Sequence, residues 1–315
     1  MRFRLQIRTD DSIWKPSGKD KWMTTGKIIR GVGGFYYVCL PDGAVYECRA
    51  RGIFRKDGKK PLVGDNVRIT ILHEKDMEGS VDEILPRSNQ LIRPAAANID
   101  QVLLVFASAD PKPDFALLDR FLIYMKQKGL PVVILFNKAD LADQETQDRL
   151  EKIYCGSGHQ VLFASVKSRM GLEQVRKVLQ GKTTLMAGPS GVGKSSLTNF
   201  FCPDAEMEVG ELSRKIRRGR QTTRHTQLNR IGENTFLMDT PGFSTLYLQE
   251  IDERDLGNYY PEFAPYADDC RFPGCMHWME PDCAVKAAVE DGRISGQRYE
   301  NYLLTAQWLK EQRRY

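Results

Sequence analysis

The chain has 315 residues and a mass of 35.9 kDa; 41% of its residues are hydrophobic and 28% charged, which excludes a disordered polymer and leaves room for two or three cored domains. The net charge of +5 is small, so its distribution matters more than its sum. The longest clean apolar runs, at 102–107 and 132–136, fall far short of the roughly 20 residues that cross a bilayer, so no membrane span is expected.

Residues 1–22 read as a basic N-terminal extension. The opening MRFRLQIRTDD has no apolar signal core and meets acid at Asp10, so secretion is not expected and a cytoplasmic setting is. Met23 is an alternative start.

Residues 23–90 are β-like. GKIIRGVGGFYYVCL, AVYECRARGIF, DNVRITIL and GSVDEIL are short β-branched or aromatic runs parted by PDG, KDGKK and VGD turns. Four or five strands in this length predict a small OB-type barrel, a fold that binds oligonucleotides. Six Lys/Arg at 49, 51, 55, 56, 59 and 60 face a single acid, Asp57. They are either a solvated turn or a loop facing nucleic-acid phosphates.

From 95 to 250 the rhythm becomes strand, helix, strand. QVLLVFAS, PVVILFN, QVLFAS and TTLMAG are buried strands; DFALLDRFLIYMKQKG and GLEQVRKVLQG are amphipathic helices. Continuous apolar strands alternating with helices predict a parallel sheet covered on both faces.

Gly188-Pro189-Ser190-Gly191-Val192-Gly193-Lys194-Ser195 fits G-x-x-x-x-G-K-[ST], with a strand before it and a helix after it. Its backbone N–H groups can wrap a phosphate chain, with Ser196 completing the nucleotide-binding set. Lys194 is placed to neutralise the β and γ oxygens, and Ser195 to ligate Mg²⁺. Asn137-Lys138-Ala139-Asp140 follows a strand of the same sheet, where ligands bind. A carboxylate at 140 accepts both guanine N1–H and N2–H, whereas adenine offers neither, so the base is expected to be guanine. Ser165-Val166-Lys167 follows another strand and suits a loop that caps the guanine O6. Asp239-Thr240-Pro241-Gly242 fits D-x-x-G, with Asp239 holding Mg²⁺ through water and the Gly242 N–H meeting the γ-phosphate. Thr223, with Thr222 as the alternative, offers a second hydroxyl to magnesium. An ATP-using kinase would instead show no dependence of base choice on Asp140.

The tail, 251–315, holds three of the seven cysteines in Cys270-x₄-Cys275-x-His277-x₅-Cys283. Three thiolates and one imidazole make a closed tetrahedral set for structural Zn²⁺. Cys39, Cys48, Cys155 and Cys202 are expected in the core, and His73 and His159 on the surface or in turns. VKAAVEDG and RYENYLLTAQWLKEQRR read as helices, the second presenting Tyr299, Tyr302, Leu303, Ala306 and Leu309 toward the metal module.

The order of the motifs is unusual. N-K-A-D and S-V-K precede the phosphate loop, the threonines and D-T-P-G, so a familiar GTPase sheet has been cut and rejoined elsewhere. Barrel, permuted motifs and zinc-like tail together resemble the bacterial RsgA (YjeQ) family over residues 23–315. The resemblance implies a circularly permuted GTPase that uses GTP/GDP, Mg²⁺ and Zn²⁺. It also implies a hydrolase stimulated by the small (30S) ribosomal subunit, contacting 16S rRNA and ribosomal proteins. The implied role is late 30S maturation and release of an assembly factor; a monomer is expected.

One departure concerns catalysis. Phe243 stands after D-x-x-G, where many GTPases carry a water-orienting glutamine. The family resemblance points to a histidine just before the paired threonines, but Gln221 stands there. Gln221 and His225 are both candidates to position water, alongside Lys194 and Thr223 as catalytic groups. The segment 214–230 holds seven Lys/Arg, suited to rRNA phosphates. Against the hydrolase stands a second reading, an RNA-binding assembly module in which GTP is a slowly hydrolysed structural ligand.

Overall fold

The computed structural model describes residues 23–51, 54, 60–203, 226–239 and 251–312. Strands β1 (Met23–Val32), β2 (Phe35–Cys39), β3 (Val45–Ala50), β4 (Asn66–His73) and β5 (Glu78–Ile84) form a closed barrel. The pairing order β1-β2-β3-β5-β4 returns to β1, with β3 and β5 parallel and the other pairs antiparallel. Closure leaves alternate residues pointing inward, and Ile28, Val38, Cys48, Val67, Ile69 and Val81 are fully buried there. The expected OB-type barrel is therefore present.

A short hairpin, β6 (Gln90–Leu91) and β7 (Ala96–Ala97), leads from the barrel to the second layer. Strands β8 (Gln101–Ala107), β9 (Val132–Asn137), β10 (Gln160–Phe163), β11 (Thr183–Ala187), β12 (Gln227–Gly232) and β13 (Thr235–Asp239) follow. They lie in the order β10-β9-β8-β11-β13-β12, all parallel except β12, which runs against β13. Every residue of β8, β9 and β11 is buried. That explains why these strands read as unbroken apolar runs rather than alternations: both faces are covered.

Helices α1 (Phe115–Gln127), α2 (Gln144–Tyr154), α3 (Leu172–Leu179) and α4 (Lys194–Phe201) supply the cover. The carboxylates of Asp114 and Asp143 cap α1 and α2 by accepting from the Leu117 and Thr146 N–H groups, both at 2.9 Å. Leu118, Phe121, Leu122 and Met125 of α1 pack on one face of the sheet; Leu172, Val175, Leu179 and Leu197 pack on the other.

The tail adds α5 (Ala264–Ala267), α6 (Ala284–Glu290) and α7 (Gly296–Gln312) around a third core centred on Tyr260, Phe263 and Tyr302. This tail is pinned to α1 by a buried ionic cluster. Arg298 donates to Asp119 at 2.5 Å and to Glu262 at 2.7 Å, while Asn301 donates to Asp119 at 2.7 Å. Cys39, Cys48 and Cys202 are buried as expected, but Cys155 is exposed. It opens a short 3₁₀ turn just past the end of α2, where the helical pattern no longer points inward. No helix among the described residues is long and apolar enough to cross a membrane.

Candidate nucleotide site and metal centre

Parallel strands bring their C-terminal ends to one edge, where the loops after β9, β10 and β11 meet beside Asp239, the last residue of β13. The N-K-A-D loop after β9 and the phosphate loop after β11 are tied directly, because Asn137 Nδ2 donates to the Val192 carbonyl at 2.8 Å. The approach is so close that a Cβ at Gly193, where φ is +94°, would lie 2.4 Å from that nitrogen. At Gly188 (φ +139°) a Cβ would lie 2.0 Å from the Val105 carbonyl oxygen. Both glycines are therefore required by space as well as by backbone conformation.

The remaining members fall into place around this tie. Ala139 N donates to Ala164 O at 3.0 Å, joining the N-K-A-D loop to the S-V-K loop; Ser165 N donates to Met170 O at 2.9 Å. Lys138 takes a left-handed turn (φ +56°), and its ammonium donates to Asp110 O at 2.8 Å. Asp140 is exposed, as are Lys167, Ser195 and Ser196, whereas Ser165 is buried. Asn137 Oδ1 is buried with no hydrogen-bond partner among the described residues, an unmet acceptor at the junction of the two loops.

Lys194 Nζ donates to the carbonyls of Gly188 (2.9 Å) and Pro189 (2.6 Å), over the mouth of the phosphate loop. Burial lowers its pKa, and Asp239 opposes that shift. Burial likewise raises the Asp239 carboxyl, against the pull of Lys194 and of Thr198, whose Oγ1 stands 3.5 Å from Asp239 Oδ2. A half-buried lysine and a half-buried acid facing one loop suit a polyanion and its cation: the ammonium takes phosphate oxygens, and hydroxyl and carboxylate oxygens are the hard ligands magnesium prefers. Thr198 carried no signal in the sequence beyond its place one turn past Lys194.

Gln221, Thr222, Thr223, His225, Thr240, Gly242 and Phe243 lie outside the described residues, as do all the Lys and Arg positions from 52 to 59 and from 214 to 224. Two basic residues of the barrel run are partly engaged: the Arg49 guanidinium lies 4.7 Å over Phe35, and Arg51 pairs with Asp82 at 2.8 Å.

In the tail, the ligand atoms of Cys270, Cys275, His277 and Cys283 all lie within 4.8 Å of one another. Cys270 and Cys283 sulfurs are 3.8 Å apart, and His277 Nδ1 is 3.5 Å and 3.4 Å from them. Bonds of about 2.3 Å to sulfur and about 2.0 Å to nitrogen give a tetrahedron with edges of about 3.8 and about 3.5 Å. The donors thus fit zinc in both chemistry and spacing. Burial pushes the Cys275 thiol up to about 12 and raises Cys283, so without a cation these sulfurs keep their protons. The loop is braced from outside the ligand set. Glu280 accepts from the Met276 (2.9 Å) and Trp278 (3.0 Å) N–H groups; Tyr299 donates to His277 O at 2.7 Å and Tyr302 to Met276 O. The face of α7 expected to pack on the metal module does so.

Two family models match the chain: the RsgA N-terminal domain over residues 25–81 and the RsgA GTPase over 84–249. The chain is 49% identical over 301 residues to the small ribosomal subunit biogenesis GTPase RsgA of Agathobacter rectalis, covering 92% of this chain and 100% of that protein. With the protein of the same name from Alkaliphilus metalliredigens it shares 46% over 293 residues, covering 93% and 100%. Among solved structures it resembles YloQ, described as a circularly permuted GTPase, at a TM-score of 0.74 and 39% identity over 92% of this chain and 96% of that one. YjeQ from Thermotoga maritima also matches at a TM-score of 0.74, with 34% identity over 91% and 98%.

Proposed function

The chain belongs to the RsgA GTPase family, and from that premise we propose that it hydrolyses GTP in the service of small ribosomal subunit biogenesis. Its partner is the 30S particle, 16S rRNA with its proteins, which stimulates turnover during late maturation and whose binding is linked to release of an assembly factor. The protein acts as a cytoplasmic monomer built from units at 1–22, 23–90, 95–250 and 251–315.

The observation that carries the site is the Asn137–Val192 hydrogen bond, which fuses the base-reading and phosphate-reading loops into one cradle. Asp140 reads the guanine N1–H and N2–H at one end; Lys194 neutralises β and γ oxygens at the other. The backbone N–H groups of 188–195 surround the phosphates, and the Lys138 stem lies along the base. Ser195 and Thr223, with Asp239 through water, would hold magnesium, which would supply charge neutralisation to the phosphates. The attacking water is oriented by Gln221 through its amide or by His225, since Phe243 offers no polar group. Zinc on Cys270, Cys275, His277 and Cys283 would cross-link the irregular loop before α6 onto the tail's core.

Single-turnover GTP hydrolysis with and without 30S particles tests the reading. A rate that rises on adding 30S supports it; equal, near-background rates would point to the slowly hydrolysing assembly module instead. Gln221→Ala beside His225→Ala, in the same assay, assigns the water.

A further inference from the structure

Barrel and sheet are one hydrogen-bonded surface, joined where β1 pairs with β12 at Arg30 and Gln227. Gln227 pairs in turn with Asp239 on β13, and Asp239 with Met186 on β11, the strand that runs into the phosphate loop. A single row of paired residues thus crosses from the barrel to the carboxylate beside Lys194.

A second grip holds the same hairpin. The half-buried Arg230 on β12 donates from Nη2 to Pro41 O at 2.8 Å and from Nε to Gly232 O at 3.2 Å. Pro41 lies in the turn between β2 and β3, and Gly43 of that turn leaves the room: a Cβ there, at φ +100°, would sit 2.1 Å from Arg230 Nη1. On β13, Phe236, the register partner of Arg230, has the Lys27 ammonium of β1 5.7 Å above its ring. In sequence Arg230 belongs to the basic run 214–230 suited to rRNA, but its guanidinium is spent on the barrel. The hairpin it holds begins two residues after His225 and ends at Asp239.

We propose that Arg230 is a positioning residue for the nucleotide site: clasped to the Pro41–Gly43 turn, it seats the β12–β13 hairpin on the barrel and thereby fixes Asp239 opposite Lys194. The barrel then sets how firmly the site retains magnesium nucleotide. This rests on the reading of Asp239 as the magnesium-side carboxylate. Asp239 is half-buried, disfavoured as an anion by its surroundings and tied to the hairpin by its own backbone, so a shift of the hairpin moves the charge directly.

The test uses the full chain with a fluorescent GDP analogue, titrating Mg²⁺ and reading retention of the nucleotide. Arg230→Ala is expected to raise the half-maximal Mg²⁺ about fivefold and to speed hydrogen exchange across 227–232. Arg230→Lys, whose ammonium can still donate to Pro41 O, restores most of the wild-type value. Gly43→Ala displaces the guanidinium and gives a similar shift, with nothing further when combined with Arg230→Ala; it also serves should Arg230→Ala fold poorly. An unchanged Mg²⁺ midpoint in folded Arg230→Ala overturns the proposal, as does full additivity with Gly43→Ala; either result makes Arg230 a brace and nothing more. Asp239→Asn runs in parallel: if it leaves the Mg²⁺ requirement where it was, the assignment of Asp239 fails, whatever Arg230 does.

Discussion

In the nucleotide cradle the loops after β9, β10 and β11 are held by backbone hydrogen bonds and by glycines that admit close neighbours, while Asp140, Lys167 and Ser195 stand exposed. In the tail the order is reversed: Cys283 and His277 are buried, the four donor atoms crowd together, and the surrounding loop has little regular structure of its own. The cradle is shaped by the sheet beneath it and by the ties between its loops. The metal module is built from crowded thiols that keep their protons until a cation takes them as thiolates. On the proposed function, the first region would bind its ligand and the second would fold around its own.

Stripping the metal is the harshest way to break that contrast. Chelation is expected to abolish the cooperative folding of 264–312, with an apparent loss on the order of 10 kcal/mol of binding free energy, visible as lost near-UV dichroism of Tyr299 and Tyr302. Because the bare thiols are pushed up and the metal-bound form is thiolate, loading must release protons. Zinc affinity should therefore fall by more than about tenfold per pH unit as pH drops from 8 to 6, measured by competition with a chromogenic chelator. Arg298→Ala comes next. It leaves Asp119 and Glu262 as uncompensated buried carboxylates, and urea unfolding should report a loss of about 3–5 kcal/mol. Burial already raises the Asp119 carboxyl against the pull of Arg298, so the variant's deficit should shrink toward acid pH, where Asp119 takes a proton.

The cradle should respond oppositely, losing activity with little loss of stability. Lys194→Ala is expected to slow single-turnover hydrolysis by about a hundredfold to a thousandfold with Tm little changed. Asp140→Asn should weaken GTP binding by about tenfold to a hundredfold and favour xanthosine triphosphate, whose carbonyl at C2 accepts from an amide; calorimetry with both nucleotides decides it. Gly193→Ala is the mildest, about 1–2 kcal/mol of stability by denaturant melt, since its Cβ must displace Asn137. If Gly193→Ala cost more than Arg298→Ala, the view of a preformed cradle would fail.

How far the sequence revealed this molecule follows from the range of its interactions. The phosphate loop, N-K-A-D and the cysteine cluster are short runs whose chemistry is local, so residue type and spacing suffice, and the structure brings Asn137 to Val192 across 55 positions only because parallel strands share an edge. The barrel was visible through turn spacing. The cluster of Asp119 with Arg298 was not: its members stand 179 positions apart, and each looked like an ordinary charge on an amphipathic helix. Arg230 was hidden differently, inside a basic run where solvent or RNA seemed its natural neighbour. Cys155 was placed in the core because it follows a helical pattern, but the helix ends one residue earlier.

The reversed direction of β12 has an outcome for handling the protein. It is the last strand of the parallel sheet, and its outer side meets β1 of the barrel. A fragment cut to begin after the barrel would free Gln227 from its partner Arg30 and leave the outer edge of β12 open along its length, a template on which a second copy can stack. The barrel thus guards the sheet against self-association, and a trimmed version is expected to be the stickier protein.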